Sequence, residues 1–309
     1  METIKVMAAA KVNLTLEITS KRSDGYHEIK SIMQSVGLFD TVTLSQNSSG
    51  KITVSCSRPE IPCDDTNIVC KCAKTFFEKI KKSCDGLHID IQKDIPSQAG
   101  LAGGSADGAA VIIGLNELCG RPFSQSELEE LGGASGADIP FCIRGGTVLC
   151  EGIGTTLTPV KSIPDCWFVL VKPPVGVSTA QAYKAVDSNK YILSDASNKM
   201  LAVIDDITKI GNLLHNDFEK ALNIGELLSI KKELCSFEGA LGACMSGSGS
   251  TVFALFSERD KAAVCAEAFK ERFKDVFVVP AVSFGTKPIT SAGNTDTDYI
   301  IKDTALTAL

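Results

Sequence analysis

A chain of 309 residues, 44% hydrophobic and 22% charged, is long enough to bury a large core, and its length favours two domains over one. A formal charge of -6 and a pI near 5.3, with no segregated basic cluster, exclude an ordinary nucleic-acid surface. Twelve cysteines without a C-x-x-C pair argue against zinc, and the lack of a signal peptide or an apolar run of transmembrane length points to a reducing cytoplasm and no membrane.

The chain opens on Ile4 and Val6, then Val12, Leu14, Leu16 and Ile18 alternate with polar partners, which predicts a strand entering a core. That strand sets Lys11 and Asn13 on one face. Alone, Lys11 is either an exposed strand lysine or half of a charge pair whose carboxylate lies elsewhere. Asp24-Gly25 is a tight-turn dipeptide leading into a second strand-like run from Tyr26 to Val36. Tyr26 and His27 then sit at a hairpin mouth, as edge residues or as ligand contacts. Shorter strand-like runs follow at Thr41 to Leu44 and Lys51 to Cys56. Thr66 is predicted to cap a helix with Ile68, Val69, Cys72, Ala73, Phe76, Phe77 and Ile80 as its apolar stripe, and Lys79-Ile80-Lys81-Lys82 as its solvated end.

Leu87, Ile89 and Ile91 alternate with polar residues as a half-buried strand, and a run of small residues follows from Ile95 to Asp107. A buried helix is predicted from near Ser105, carried by Ala109, Ala110, Ile112, Ile113, Leu115 and Leu118. A strand, a glycine-rich turn and a helix start make an anion cradle, because the first helical turn leaves N–H groups unpaired and carries positive partial charge. The loop matches neither G-x-x-x-x-G-K-[ST] nor G-x-G-x-x-G, so on its own it is either a phosphate cradle or a tight strand-to-helix connection.

Ser124-Gln125-Ser126-Glu127 is a capping-box pattern opening a helix through Leu131. Asp138 follows, between small residues and an apolar Ile-Pro-Phe, either as a helix cap or as a charge that needs a lysine partner. After a strand-like Thr147 to Cys150, the stretch Lys161 to Asp165 reads as a linker, and Trp167 to Val171 opens a second domain. Helices are predicted over Thr179 to Val186, Lys199 to Ile204, Leu213 to Leu222 and Glu226 to Cys235, then a second glycine-serine loop from Gly239 to Ser250. A strand from Thr251 to Phe256, a helix from Arg259 to Phe273 and a strand from Val276 to Val282 complete the pattern, with a loosely ordered tail from Thr290.

Several segments then resemble one family in order: Ala10-Lys11-Val12-Asn13-Leu14, Asp24-Gly25-Tyr26-His27, the loop from Pro96 to Asp107, Gly136-Ala137-Asp138-Ile139-Pro140, Asn216-Asp217-Phe218-Glu219 and Met245-Ser246-Gly247-Ser248-Gly249. They resemble the GHMP kinase superfamily, over nearly the whole chain to about Lys287, and the first two resemble its branch acting on a cytidyl-diphosphate alcohol in isoprenoid precursor synthesis. The resemblance implies an α+β fold in two domains, one like ribosomal protein S5 domain 2 over 1–162 and one ferredoxin-like over 163–287, with the site between them and a flexible tail over 288–309. It implies ATP-dependent phosphorylation of the alcohol's 2-hydroxyl by a monomer or weak homodimer.

By the same resemblance Asp138 is the general base and Lys11 holds it ionised. The ATP phosphates rest on Gly100, Leu101, Ala102, Gly103, Gly104 and Ser105, within a loop running from Pro96 to Asp107, and the adenine lies by Asn67, Ile68 and Lys93. Magnesium is held mainly by the phosphates, with Ser105 as protein ligand. Tyr26 and Tyr183 sandwich the cytosine and His27 bonds its edge, while Asn13 and Thr179 meet the alcohol or diphosphate and Ser246 and Gly247 complete the substrate side. Gln98, Ala99 and Ala102 stand where the family loop has glycines. A mevalonate- or homoserine-type kinase is the rival that Tyr26-His27 speaks against; a silent ligand-binding regulator is the rival that Lys11 and Asp138 speak against.

Overall fold

The structure is a computed structural model that describes residues 2–188 and 194–289. Its frame is one long antiparallel ribbon, β1 (Thr3–Lys21) and β2 (His27–Gln46). The predicted break between Val36 and Thr41 is absent, and the second strand runs through it. Register shifts at Ala9/Ala10, Asn13/Thr15 and Ile18/Ser20 bend the ribbon, as extra unpaired residues do. Its two halves therefore find different neighbours.

Next come β3 (Ile52–Cys56), α1 (Ile68–Ile80), β4 (Leu87–Gln92), α2 (Gly103–Leu118), α3 (Gln125–Ser135), α4 (Ile139–Arg144), β5 (Thr147–Gly152) and β6 (Thr156–Pro159). One half of β2 pairs β4 over Thr41–Gln46, and the other pairs β5 over Ile29–Gln34. Helix α2 is buried along Ala106 to Ile112 and packs on the ribbon. It begins at Gly103, two residues before the expected start. Helix α1 is capped by Asn67 rather than Thr66: Asn67 Oδ1 accepts from Val69 N at 3.1 Å, while the Thr66 hydroxyl donates to Asp64 at 2.5 Å. The capping box opens α3, which continues past Leu131 to Ser135.

The second half of the chain holds β7 (Trp167–Lys172), α5 (Thr179–Asp187), α6 (Ala196–Leu201), α7 (Ile207–Asn212), β8 (His215–Asn216), α8 (Asp217–Leu222), α9 (Gly225–Leu234), β9 (Ala240–Met245), β10 (Val252–Phe256), α10 (Arg259–Lys270), β11 (Asp275–Pro280) and β12 (Thr286–Pro288). Four strands form an antiparallel sheet in the order β11-β7-β10-β9, the ferredoxin-like arrangement in which the first strand lies between the last and the third. Two expectations fail here. The residues from Leu213 to Asn216 are not helical, because β8 pairs in parallel with β1 at Thr15 and Leu16. Half of the expected second glycine-serine loop is strand β9: Gly242 serves packing, since a Cβ there would lie 2.1 Å from Gly211 O of the adjoining α7.

Both faces of this second sheet are buried, which is why Trp167 to Val171 is continuously apolar. Phe168, Leu170, Phe253 and Leu255 join the core of the first domain, while Val169, Val171, Val252 and Ala254 join a second core with α10. The chain boundary near 162 is thus not a boundary in the core. Strand β12 returns to pair with β1, so the stretch expected to be tail from 288 begins inside a strand; residues from Thr290 onward lie outside those described. Seven of the cysteines are buried, and burial pushes the thiols of Cys72, Cys166 and Cys265 up to about 12, as befits small core residues. No described helix is long and apolar enough to cross a membrane.

Candidate active site

The polar row of β1 is buried, so each member needs a partner. Glu17 accepts from the N–H groups of Ala196 and Ser197 at 3.0 and 2.9 Å, and Thr15 bonds Ser197 at 2.8 Å, which ties the first turn of α6 to the ribbon. Lys11, next to the Ala9/Ala10 shift, donates to Asn13 Oδ1 at 2.8 Å and stands 3.8 Å from Asp138 Oδ2. Lys11 is therefore not an exposed strand lysine: its side chain is 4% accessible, against 33% for Asp138.

Asp138 occupies the N-cap position of α4 but makes no capping bond. The reason is local. The Asp138 backbone is helical (φ -84°, ψ -11°) where a capping residue is extended, and Pro140 in the first turn has no N–H to offer, so the carboxylate is left to face Lys11 and the open cleft.

The cleft has a volume of about 770 Å³. One wall is the small-residue loop, whose base is pinned by buried charges. Asp40 Oδ1 accepts from Asp94 N and Ile95 N at 2.7 and 2.9 Å, its other oxygen bonds Lys93 Nζ, and Lys93 Nζ also donates to Asp107 Oδ2 at 2.9 Å. Burial drives the Asp40 and Asp107 carboxyls upward against the pull of Lys93; burial also opposes the Lys93 charge, but the two flanking carboxylates outweigh it. Lys93 and Asp107 line the cleft; the Lys93 ammonium is already committed to two carboxylates, whereas Asp107 Oδ1 is buried without a hydrogen-bond partner, and the Asn67 amide is spent, donating to Pro62 O at 2.7 Å while capping α1.

Gln98, Gly100 and Ala102 all have left-handed backbones, with φ of 51°, 73° and 61°. At Gly100 a side chain is also excluded by space, because a Cβ would lie 2.0 Å from Ser246 O. Ser246 Oγ donates to Gly100 O at 2.9 Å and Thr251 N to Ala99 O at 3.1 Å, so the turn after β9 buttresses the loop. Ala102 gives α2 no side-chain cap and the first turn holds no acid, which leaves the leading N–H groups and the positive helix end for an anion.

At the other end of the cleft Tyr26 is 62% exposed. His27 stacks on Tyr183, with ring centroids 4.5 Å apart and planes 15° from parallel, and its Nε2 lies 2.8 Å from Asp187 Oδ1. Tyr183 in turn meets the edge of Phe218 at 4.9 Å. The stacking partner of Tyr183 is thus His27, not an open gap facing Tyr26. Thr179 pairs with Ser248 at 3.2 Å.

Every residue expected at the site lines this cleft except Ser246, which is fully buried behind the loop. Asn13 lines it too, but its amide is engaged: Oδ1 accepts from Lys11 and from Gly247 N at 3.0 Å, and Nδ2 donates to Ser31 at 2.8 Å. Asp40, Ser248 and Asp187 were missed from the sequence. For Asp187 a signal existed, since Thr179, Tyr183 and Asp187 recur every four residues on one face of α5.

A cleft with an anion-ready helix start at one end, stacked rings at the other and a lysine-aspartate pair between can hold a polyphosphate against an alcohol. It defines an ATP-dependent kinase of small molecules. The comparisons agree with that class. The model for the GHMP kinases N terminal domain matches residues 67–146, and that for the GHMP kinases C terminal region matches residues 200–275. The 4-diphosphocytidyl-2-C-methyl-D-erythritol kinase of Clostridium botulinum (strain Alaska E43 / Type E3) is 43% identical over 90% of this chain and 99% of that protein. The enzyme of the same name from Clostridium beijerinckii is 40% identical over 90% of this chain and 100% of its own.

Among solved structures, a 4-(cytidine 5'-diphospho)-2C-methyl-D-erythritol kinase superposes with a TM-score of 0.76 at 27% identity, covering 90% of this chain and 99% of that one. A homoserine kinase from Cytophaga hutchinsonii, at 21% identity and a TM-score of 0.77 over 94% of this chain and 98% of that one, shares the fold. The chain belongs to the GHMP kinases and, within them, to the family of the 4-diphosphocytidyl-2-C-methyl-D-erythritol kinases.

Proposed function

We propose that this chain transfers the γ-phosphoryl group of ATP to the 2-hydroxyl of 4-diphosphocytidyl-2-C-methyl-D-erythritol, in isoprenoid precursor synthesis. The observation that carries the chemistry is the Lys11–Asp138 pair, 3.8 Å apart in a cleft that also contains the uncapped start of α2. The choice of substrate is supported by the 43% identity to the Clostridium kinase and by the stacked rings at the hairpin mouth.

Asp138, freed from capping, takes the proton of the acceptor hydroxyl as it attacks phosphorus. Lys11, held by Asn13, favours the ionised carboxylate and supplies positive charge where the transferring group becomes most anionic. Leu101 to Ser105 present backbone N–H groups to the phosphates, with Pro96 and Asp107 closing the loop at its ends. Asn67, Ile68 and Lys93 flank the adenine through backbone and apolar contact, because the polar heads of Asn67 and Lys93 are already bonded.

Among the described residues no three His, Cys, Asp or Glu side chains converge as a metal cage. That suits magnesium, which keeps waters and substrate phosphates as ligands; Ser105 is the residue here that would help hold it, and the ion would neutralise phosphate charge. On the substrate side Tyr26 and His27 meet the base, Tyr183 backs His27, and Thr179 and Gly247 face the diphosphate or the alcohol.

Purified chain with magnesium, ATP and separate alcohols tests the reading: turnover is expected with the cytidyl-diphosphate alcohol and not with mevalonate or homoserine. Turnover confined to either of those would replace the proposed substrate, and no turnover with any would favour a silent ligand-binding role.

A further inference from the structure

Helix α5 brings one acidic residue to the site that the catalytic reading does not use. Asp187 Oδ1 lies 2.8 Å from His27 Nε2, across the seam between the second half of the chain and the hairpin mouth. Lys21 Nζ lies 2.5 Å from the other oxygen, Oδ2, and keeps the carboxylate a charged acceptor. A carboxylate can only accept, so it fixes the imidazole proton on Nε2 and leaves Nδ1 bare when the ring is neutral. Tyr183 covers one ring face, and the His27 side chain is 4% exposed. His27 lines the cleft, so the nitrogen that Asp187 leaves bare is what this residue has for a ligand.

We infer that Asp187 is a positioning residue that sets base selectivity: by fixing the proton on His27 Nε2, it makes Nδ1 an acceptor that reads the 4-amino group of cytosine and refuses the 4-oxo group of uracil. The inference rests on the proposed cytidyl substrate. A 4-oxo group brought against a bare nitrogen sets two acceptors against each other in a nearly dry place, leaving both unpaired. An amide at position 187 can turn its NH2 toward Nε2, move the ring proton to Nδ1 and remove the distinction.

The chain's three histidines make the ring nitrogens assignable by ¹⁵N NMR. In the pH range where the spectrum shows a neutral ring, wild-type His27 is expected to carry its proton on Nε2 alone; a neutral ring protonated on Nδ1 overturns the inference. In the kinase assay, Asp187→Asn is expected to lower the preference for the cytidyl over the uridyl diphosphate substrate by about tenfold or more, while Asp187→Glu keeps it. An unchanged preference in Asp187→Asn overturns the inference, and if that variant does not fold, the wild-type spectrum decides. Wild-type protein that turns over no cytidyl substrate would instead sink the proposed function, a failure distinguishable because the spectrum is read without turnover.

Discussion

The two ends of the cleft are built on different principles. The end proposed for the phosphates is made of backbone: left-handed residues, an uncapped helix start and a buried Asp40–Lys93–Asp107 cluster that fixes the path of the loop. The end proposed for recognition is made of side chains from segments far apart in sequence, with Tyr26 mostly in solvent and His27 held by α5. In the proposed function the backbone end takes what all such kinases share and tolerates little change, while the side-chain end chooses the partner and can be exchanged. The difference lets one fold serve several substrates.

Substitutions at the two ends should separate accordingly. The largest effect belongs between them: Asp138→Asn is expected to lower kcat by about a thousandfold with ATP affinity by calorimetry nearly intact, and near-normal turnover would remove Asp138 as the base. Gly100→Ala should disturb the backbone end, lowering unfolding stability by about 2 kcal/mol and weakening ATP binding, because it meets both a left-handed φ and Ser246 O. Denaturant melts with and without nucleotide measure it, and a wild-type melt would show that the contact yields freely.

Tyr26→Ala should touch only the recognition end, raising KM for the cytidyl substrate about tenfold through lost ring contact while KM for ATP stays put. Equal changes in both constants would erase the contrast between the two ends. The smallest effect is expected at Ala102→Gly, which relieves a left-handed alanine and should stabilise the fold by about 0.5 kcal/mol in the same melts. A loss of stability there would mean that the methyl group packs usefully.

Much of this was legible before any coordinates. Period-2 alternation marked β1 and β4, and the small-residue loop announced a helix start because spacing and composition are local properties. Lys11 and Asp138 could be singled out, but nothing in their neighbourhoods says that they meet; the resemblance joined them, and Pro140 explains why Asp138 is available. The failures share a cause. Strand β9 looked like a loop because its glycine answers to α7 rather than to a turn, and β8 looked helical because its partner, β1, lies some 200 residues upstream. Asp187 was passed over since an acid at a helix end is ordinary until its partner across the fold is known.

The last described strand bears on how the chain is made. Strand β12 lies along β1, where Met7 pairs with Lys287, and Ile289 N donates to Lys5 O at 2.8 Å. On the ribosome Val6 to Ala8 emerge well before Thr286 to Pro288, the residues that complete their edge, so the amino-terminal sheet waits with an open side until β12 is made. A nascent chain stopped at residue 162 would expose that side as a template for stray strands. Arrival of β12, rather than completion of the first half of the chain, is the event that closes this edge.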